Sequence, residues 1–341
     1  MTINVALVTS EGLVFGCDSI ASTTAYLVDP FALNWPTDQQ EQPLKDASGK
    51  PLMSYDPNMI QQVVTNAWGG VTKMCPIHDD GTPVVSVTAG LAKLNERTIK
   101  SLCDEFSAKQ KRRRKERLIT VESVAKEFLV FFRKEYEKHY ENSPILEEYR
   151  DGPEFLVGGY GKDDPFPSLF RIKVKENSID NQFSNAHFGL AWAGQSDAVE
   201  RLIRGYDGSL RALIEKEIEQ QSESHHQTMT EAMTRILDDV LKRLGATLPA
   251  GVNTELPQRV KTQIQWDKYK LPIGYSNLPL QDAIDFVAFL VSLQSGRSKF
   301  SYGVATVGGR THIGIVTKSD GFTMLEEPKL RHRHTGFADD K

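Results

Sequence analysis

Thr2-Ile3-Asn4-Val5-Ala6-Leu7-Val8-Thr9-Ser10-Glu11-Gly12-Leu13-Val14-Phe15-Gly16-Cys17-Asp18-Ser19 is the stretch that decides the fold. Two apolar runs, 3–9 and 13–19, flank Ser10-Glu11-Gly12, and a glycine between two such runs predicts a β-hairpin. Val5, Ala6, Leu7 and Val8 are all apolar, as are Leu13, Val14 and Phe15. A strand with one wet face alternates between apolar and polar residues. Neither run does, so both faces of this hairpin are expected to be covered. The same stretch starts with a candidate nucleophile. If Met1 is removed, Thr2 carries a hydroxyl and a free α-amine on one residue. A hydroxyl is a poor nucleophile until a base takes its proton. An α-amine, with a pKa of about 7.7–8.0, titrates close enough to neutrality to be that base. Threonine at position 2 is ordinary in itself, so its weight depends on its surroundings.

Outward from the hairpin, residues 29–58 change character. They carry Pro30, Pro36, Pro43, Pro51 and Pro57 among Gln, Asp and Lys, which predicts an irregular insertion. Order is expected to return near Val63. Lys73-Met74-Cys75-Pro76-Ile77 precedes a turn at Asp79-Asp80-Gly81, and Val84 to Ala89 reads as a strand. Gly90 opens a helical pattern with Leu94, Ile99, Leu102 and Phe106 on one face, ending in the basic run 109–117. A second helix is expected after Thr120 as N-cap, with Val124, Phe128, Phe131 or Phe132, and Tyr136 facing inward. Strands follow near 154–159, 168–175, 178–184 and 188–193. Ser196 is placed to cap a helix bearing Val199, Leu202 and Ile203. Residues 209–264 read as polar and mostly helical, with Met233, Ile236, Leu237, Val240, Leu241 and Leu244 on one face and Gly245 as the stop. Pro279 opens the last helix, whose face is Ala283, Ile284, Val287, Leu290 and Val291. A final hairpin, His312 to Thr317 and Phe322 to Leu325, turns at Asp320-Gly321. The tail from Arg331 reads as disordered.

Composition narrows the function classes. The 341 residues are 25% charged and 39% apolar, which is a globular chain rather than a disordered one. A net charge of −4 gives no reason to expect a nucleic-acid partner. Cys17, Cys75 and Cys103 are odd in number and far apart, so they read as buried thiols of a reducing compartment. No apolar run approaches the ~20 residues of a membrane span, and no basic-then-apolar leader opens the chain. The expectation is a cytoplasmic protein with no membrane partner. His225-His226 and His332/His334 lack ligands at metal spacing. Gly158-Gly159-Tyr160-Gly161 lacks the Lys-Ser/Thr of a phosphate loop, and no cofactor is expected. The basic run 109–117 reads as the solvated end of a helix.

The element order is hairpin and strands, two helices, strands, further helices, final hairpin. Strands that are apolar on both faces need covering layers, and helix pairs on either side supply them. The fold class expected is α+β: a four-layer α-β-β-α sandwich of two antiparallel sheets between helix layers. A single domain over 1–330 is expected, with insertions near 26–70 and 207–275 and a disordered tail at 331–341.

In these residues the chain resembles the proteasome β-type family of N-terminal nucleophile (Ntn) hydrolases, in its bacterial proteasome-like branch. That family opens with a nucleophilic threonine, a Val-x-x-Val-x-x-x-Gly-Val-Val hairpin and Ala-Asp-Ser-Arg-Ala. Thr2, Val5, Gly12, Val14, Asp18, Ser19 and Ala21 match in register. Lys73-Met74-Cys75-Pro76-Ile77 is similar to the family's Lys-Ile-x-x-Ile, Ala89-Gly90-Leu91-Ala92 to its Ala-Gly-x-Ala, and Gly308-Gly309 to its late Gly-Gly. The resemblance implies an Ntn-hydrolase fold and a threonine endopeptidase acting through an acyl-enzyme. It implies Thr2 as nucleophile, Lys73 beside the hydroxyl, Asp18 paired with Lys73, and the Gly90 N–H as oxyanion donor. A nearby cation lowers the pKa of a hydroxyl or amine, and a buried lysine needs a carboxylate to stay charged. By the same resemblance Ser196 supports the threonine, Ala21, Ser22 and Ala92 line the substrate channel, and Thr88 lies in the specificity pocket. The partners implied are a peptide or unfolded-protein substrate, further copies in a homo-oligomeric ring, and an ATP-dependent unfoldase. The chain departs from the pattern at Ile20, where the family has arginine, at Val304 and Val307, where it has aspartate and serine, and at Gly194-Gln195-Ser196. These departures leave two other readings open: a catalytically inactive ring or scaffold, and an amidohydrolase of small amides.

Overall fold

The opening hairpin forms as read. The computed structural model describes residues 2–28, 33–34, 36–38, 42–47, 49–52, 54–55, 60–79, 81–112, 119–143, 145–245, 247, 264–302 and 304–325. In it β1 (Ile3–Val8) and β2 (Leu13–Cys17) pair antiparallel, with Val5 opposite Gly16 and Val8 opposite Leu13. Thr9 closes the turn: its amide donates to the Gly12 carbonyl at 2.9 Å and its hydroxyl accepts from the Gly12 amide at 3.2 Å. Every residue of both strands is buried, as the missing alternation demands.

After β2 come β3 (Ala21–Val28), the short pair β4 (Leu33–Asn34) and β5 (Ser54–Tyr55), β6 (Ile60–Trp68), β7 (Met74–His78), β8 (Val84–Ala89), and the two-residue strands β9 (Lys93–Leu94) and β10 (Arg97–Thr98). Helices α1 (Ile99–Arg112) and α2 (Val121–Tyr140) follow, then β11 (Glu154–Gly159), β12 (Ser168–Lys173), β13 (Ser178–Phe183) and β14 (Gly189–Gly194). The chain continues through α3 (Asp197–Arg204), α4 (Gly208–Leu244) and α5 (Leu280–Phe300) to β15 (His312–Thr317) and β16 (Gly321–Met324). These elements divide into two units, one built from residues up to Ser196 and from Gly274 onward, the other from Asp197–Ile273.

The first unit is the four-layer α-β-β-α sandwich. One antiparallel sheet has the order β14-β1-β2-β15-β16, the other β13-β12-β11-β8-β7. Their facing surfaces bury Ala6, Val8, Phe15, Cys17, Val85, Val87, Ala89 and Leu156. Helices α1 and α2 cover the second sheet, where Phe128 stacks among Phe106, Phe132 and Phe155 at 4.6–5.0 Å. On the other side α5 lies on β1, β2 and β15 through Ala283, Val287, Leu290 and Val291. Burial of such side chains, at roughly 1.5–3 kcal/mol each, is what holds four layers together. A separate two-stranded ribbon, β3 with β6, leaves the sandwich after Ser19. In the second unit Asp207 caps α4 by accepting from the Leu210 amide at 2.9 Å and also pairs with Arg201, while Tyr206 stacks on Trp266 at 4.5 Å. Among the described residues no helix is long and apolar enough to cross a membrane.

Several local readings are refined. The helix does not open at Gly90. Asn95 and Glu96 sit at φ 50° and 61°, turning β9 into β10, and α1 begins at Ile99. Thr120 does cap α2, and its box partner is Ser123: the two residues exchange side-chain-to-amide hydrogen bonds at 3.1 Å. Phe132 rather than Phe131 is the buried member of its pair. A helix pair was expected on each side of the sheets. Among the described residues of the first unit, α5 is the helix that covers the β1–β2 side; α3 and α4 belong to the second unit. The apolar face expected at 233–244 is not buried by the described residues: Met233, Ile236, Val240 and Leu244 are exposed. Most of the expected 246–264 segment, residues 113–117 of the basic run and the tail from 331 lie outside the described residues.

Candidate active site

The end of β2 brings Asp18 under the start of β1, because Asn4 and Cys17 are register partners. The Asp18 amide donates to the Ile3 carbonyl at 3.3 Å, and the Ile3 amide donates back to Asp18 Oδ1 at 3.1 Å. Lys73, just before β7, reaches the same oxygen with its Nζ at 2.6 Å. Lys73 is held from behind: its carbonyl accepts from the Thr88 amide at 3.1 Å. Asp18 Oδ2 accepts from the Ile20 and Gly308 amides, both at 3.1 Å. The carboxylate therefore takes four donors while 1% exposed, and Lys73 is 3% exposed.

This burial sets the electrostatics. Removal from water pushes the Lys73 pKa below its ordinary value, against the opposing pull of the Asp18 charge and hydrogen bond. Burial likewise pushes the neighbouring Cys17 thiol up to about 12, with the Lys73 charge opposing. The outcome is a lysine that gives up its proton more readily than a surface lysine, locked to an anion whose position the backbone dictates.

Thr2 itself is 6% exposed. Its carbonyl accepts from the Gln195 amide at 2.6 Å. This approach requires Gly194, which sits at φ 83° and whose missing Cβ would lie 2.0 Å from the Thr2 oxygen. The same absent Cβ would lie 3.4 Å from Ala89 Cβ, so β8 and its following Gly90 come up beside Thr2. Gly90 is exposed at φ 83°, where a Cβ would meet the Gly152 carbonyl at 2.4 Å. Met1 lies outside the described residues.

Of the residues picked from sequence, Thr2, Asp18 and Lys73 converge on one hydrogen-bonded cluster through the Thr2–Ile3 peptide. Gly90 borders the cluster through Ala89. Ser196 is half-buried and immediately follows the residue that touches Thr2, which is Gln195. Ala21 and Ser22 start the β3 ribbon, and Ala92 is exposed beyond Gly90. Thr88 alternates with the inter-sheet residues Val87 and Ala89, so it faces the α1 layer. Ser298, Thr306 and Arg310 were not anticipated. Thr306 Oγ1 donates to Gln195 Oε1 at 3.0 Å, the Arg310 amide to Ser19 Oγ at 2.8 Å, and the Thr306 and Val307 amides to Ser298 Oγ at 3.1 and 3.2 Å. The clue available in sequence was Gly308-Gly309, which marks a close backbone approach. Val307 is buried at 1% and Val304 is 58% exposed, so neither supplies a polar group here.

No family model matches the chain, and no curated protein does. Solved structures similar to it include an Anbu (Gly-1) mutant from Hyphomicrobium sp. strain MC1, at 12% identity over 96% of this chain and 86% of that one, TM-score 0.44. Anbu (ancestral beta-subunit) from Yersinia bercovieri gives 13%, 95%, 87% and 0.45. The helical assembly of the Anbu complex from Pseudomonas aeruginosa gives 12%, 95%, 84% and 0.42. These findings correct one expectation. The chain is not confirmed as a proteasome β-type protein of the bacterial branch: its structural neighbours are Anbu proteins, at low identity, and the matching residues at its front do not extend to a family match.

Proposed function

We propose that this chain is an N-terminal-nucleophile hydrolase that cuts peptide bonds with Thr2, once Met1 has been removed. The Thr2 hydroxyl attacks the amide carbonyl and its proton passes to the α-amine. The C–N bond breaks, the leaving amine takes that proton, and an ester on Thr2 remains for water to hydrolyse. Lys73 lowers the cost of charge on the oxygen nucleophile, Asp18 holds Lys73, and the Gly90 amide faces the developing oxyanion. The observation that carries this reading is the Asp18 carboxylate, which joins Lys73 Nζ at 2.6 Å to the Ile3 amide at 3.1 Å. One buried anion thereby ties the tuned ammonium to the peptide unit of the nucleophile itself. Self-association belongs to the same proposal. Phe300, Tyr302 and Val304 stand in succession at the end of α5, 85%, 109% and 58% exposed, as apolar side chains awaiting a subunit contact do.

The test is turnover of a fluorogenic peptide panel by wild type and Thr2→Ala, with intact mass to establish whether Met1 is absent. Loss of turnover in the variant and a mature chain starting at Thr2 are expected. Equal turnover ends the proposal. A second reading, a catalytically inactive shell with the same fold, is favoured by Val304 and Val307, which stand where the resembled family has an acid and a hydroxyl. A mature chain that retains Met1 supports that reading, because the amine and hydroxyl then sit on different residues.

A further inference from the structure

The Thr2–Ile3 peptide is gripped from both ends. Its carbonyl accepts from the Gln195 amide at 2.6 Å, and its N–H donates to Asp18 Oδ1 at 3.1 Å. Each of these partners is set by one short segment, residues 306–308. Thr306 Oγ1 donates to Gln195 Oε1 at 3.0 Å, and the Gly308 amide donates to Asp18 Oδ2 at 3.1 Å. The segment is itself anchored on α5, where Ser298 Oγ accepts from the Thr306 and Val307 amides. Thr306 is 5% and Ser298 7% exposed, so water does not compete freely for these bonds. A peptide plane held at its oxygen and its nitrogen fixes the Thr2 Cα and the axis of its Cα–C bond, so the Thr2 side chain turns only about that axis and about its own χ1.

We propose that Gln195 and Thr306 are positioning residues: Thr306 holds the Gln195 side chain, the Gln195 backbone N–H holds the Thr2 carbonyl, and together they place the Thr2 Cα, and so the reach of its hydroxyl, relative to Lys73. They do the work for which Val304 and Val307 have no polar group. This inference rests on the reading of Thr2 as nucleophile. Neither residue touches substrate, so both act on the rate of the chemical step rather than on binding. Misplacement of a reacting group by a fraction of an ångström costs about tenfold or more in rate.

The experiment compares Thr306→Val, Thr306→Ser, Gln195→Met and the Thr306→Val/Gln195→Met double variant. The expected result on a peptide substrate is a kcat lower by about tenfold in Thr306→Val and Gln195→Met, with KM unchanged. Thr306→Ser, which keeps the hydroxyl, restores wild-type kcat, and the double variant is no worse than either single one. Loss confined to KM, unchanged kinetics, or a Thr306→Ser as impaired as Thr306→Val overturns the proposal. A second readout does not need turnover. Hydrogen–deuterium exchange at the Gln195 amide speeds up by about tenfold in Thr306→Val and not in Thr306→Ser. If wild type and Thr2→Ala both fail to cut peptides, the hydrolase reading falls, and exchange decides the positioning alone: equal protection in Thr306→Val and wild type overturns it. Should Thr306→Val fail to fold, Gln195→Met removes the same side-chain hydrogen bond from the other side and is read in the same way.

Discussion

Asp18→Asn is the sharpest perturbation of this site, because it changes charge and almost nothing in shape. The side chains of Asp18 and Lys73 are 1% and 4% exposed, so the ammonium left behind has no water to turn to. Removing one partner of a buried ion pair costs about 3–5 kcal/mol. The amide adds a second conflict. If its oxygen stays on Lys73 and Ile3, its NH2 faces the Ile20 and Gly308 amides, which are donors. Two unsatisfied N–H groups add about 1–3 kcal/mol each. The total, roughly 5–11 kcal/mol, reaches the whole stability of an ordinary domain. The protein limits the loss by deprotonating Lys73. The Lys73 folded-state pKa already lies below 10.5 through burial, so between that pKa and 10.5 the unfolded state binds more protons and stability rises with pH. Asp18→Asn takes away the charge that opposed the shift, and the folded-state pKa drops further. The stability deficit of the variant is therefore full at acidic pH. It shrinks by up to about 1.4 kcal/mol per pH unit between the two folded-state pKa values. Urea denaturation followed by tryptophan fluorescence, at about pH 6, 7.5 and 9, measures it. A deficit below about 1 kcal/mol at pH 6 refutes the claim that a stranded Lys73 charge carries the effect.

Lys73→Met strips the ammonium but leaves Asp18 with three amide donors. It is expected to cost about 2 kcal/mol less than Asp18→Asn in the same urea series while abolishing peptide turnover. Gly90→Ala places a Cβ 2.4 Å from the Gly152 carbonyl at φ 83°, which costs about 2–4 kcal/mol and lowers the melting temperature measurably by calorimetry. Cys17 ionises only near 12 and is 0% exposed. A thiol reagent at pH 8 accordingly leaves it unmodified until denaturant is added, as peptide mass mapping reads out.

The fold was legible where a local rule coincided with the tertiary demand. The apolar stretches Val5-Ala6-Leu7-Val8 and Leu13-Val14-Phe15, which do not alternate with polar residues, required cover on both faces, and the sandwich supplies it. Thr120 announced the start of α2 because capping is settled within one turn of helix. The misplaced start of α1 has the opposite cause. Leu94, Ile99 and Leu102 fit a period of 3.6, and all are buried, yet Leu94 is buried by a strand pair that Asn95 and Glu96 turn with positive φ. A buried leucine satisfies either geometry, so periodicity alone did not choose between them. The stripe at Met233, Ile236, Val240 and Leu244 was read correctly as one face of a helix. What covers it depends on surfaces that a pattern within a single helix does not specify.

The same distinction divides the site. Asp18 and Lys73 were picked through the family resemblance, which rests on side chains that a sequence displays. The groups that aim them are backbone amides, those of Ile3, Ile20, Gln195 and Gly308. Every residue except proline carries such an amide, so none leaves a mark in sequence. What leaves a mark is the room that an amide needs in order to approach: Gly194 against the Thr2 carbonyl, and Gly308-Gly309 against Ser19 and Ile20. Gly194 lets the backbone close on Thr2, and Gly308-Gly309 lets it close on Ser19 and Ile20 beside Asp18. Thr306 is one residue from Val307, and its hydroxyl meets Gln195 rather than Thr2 itself.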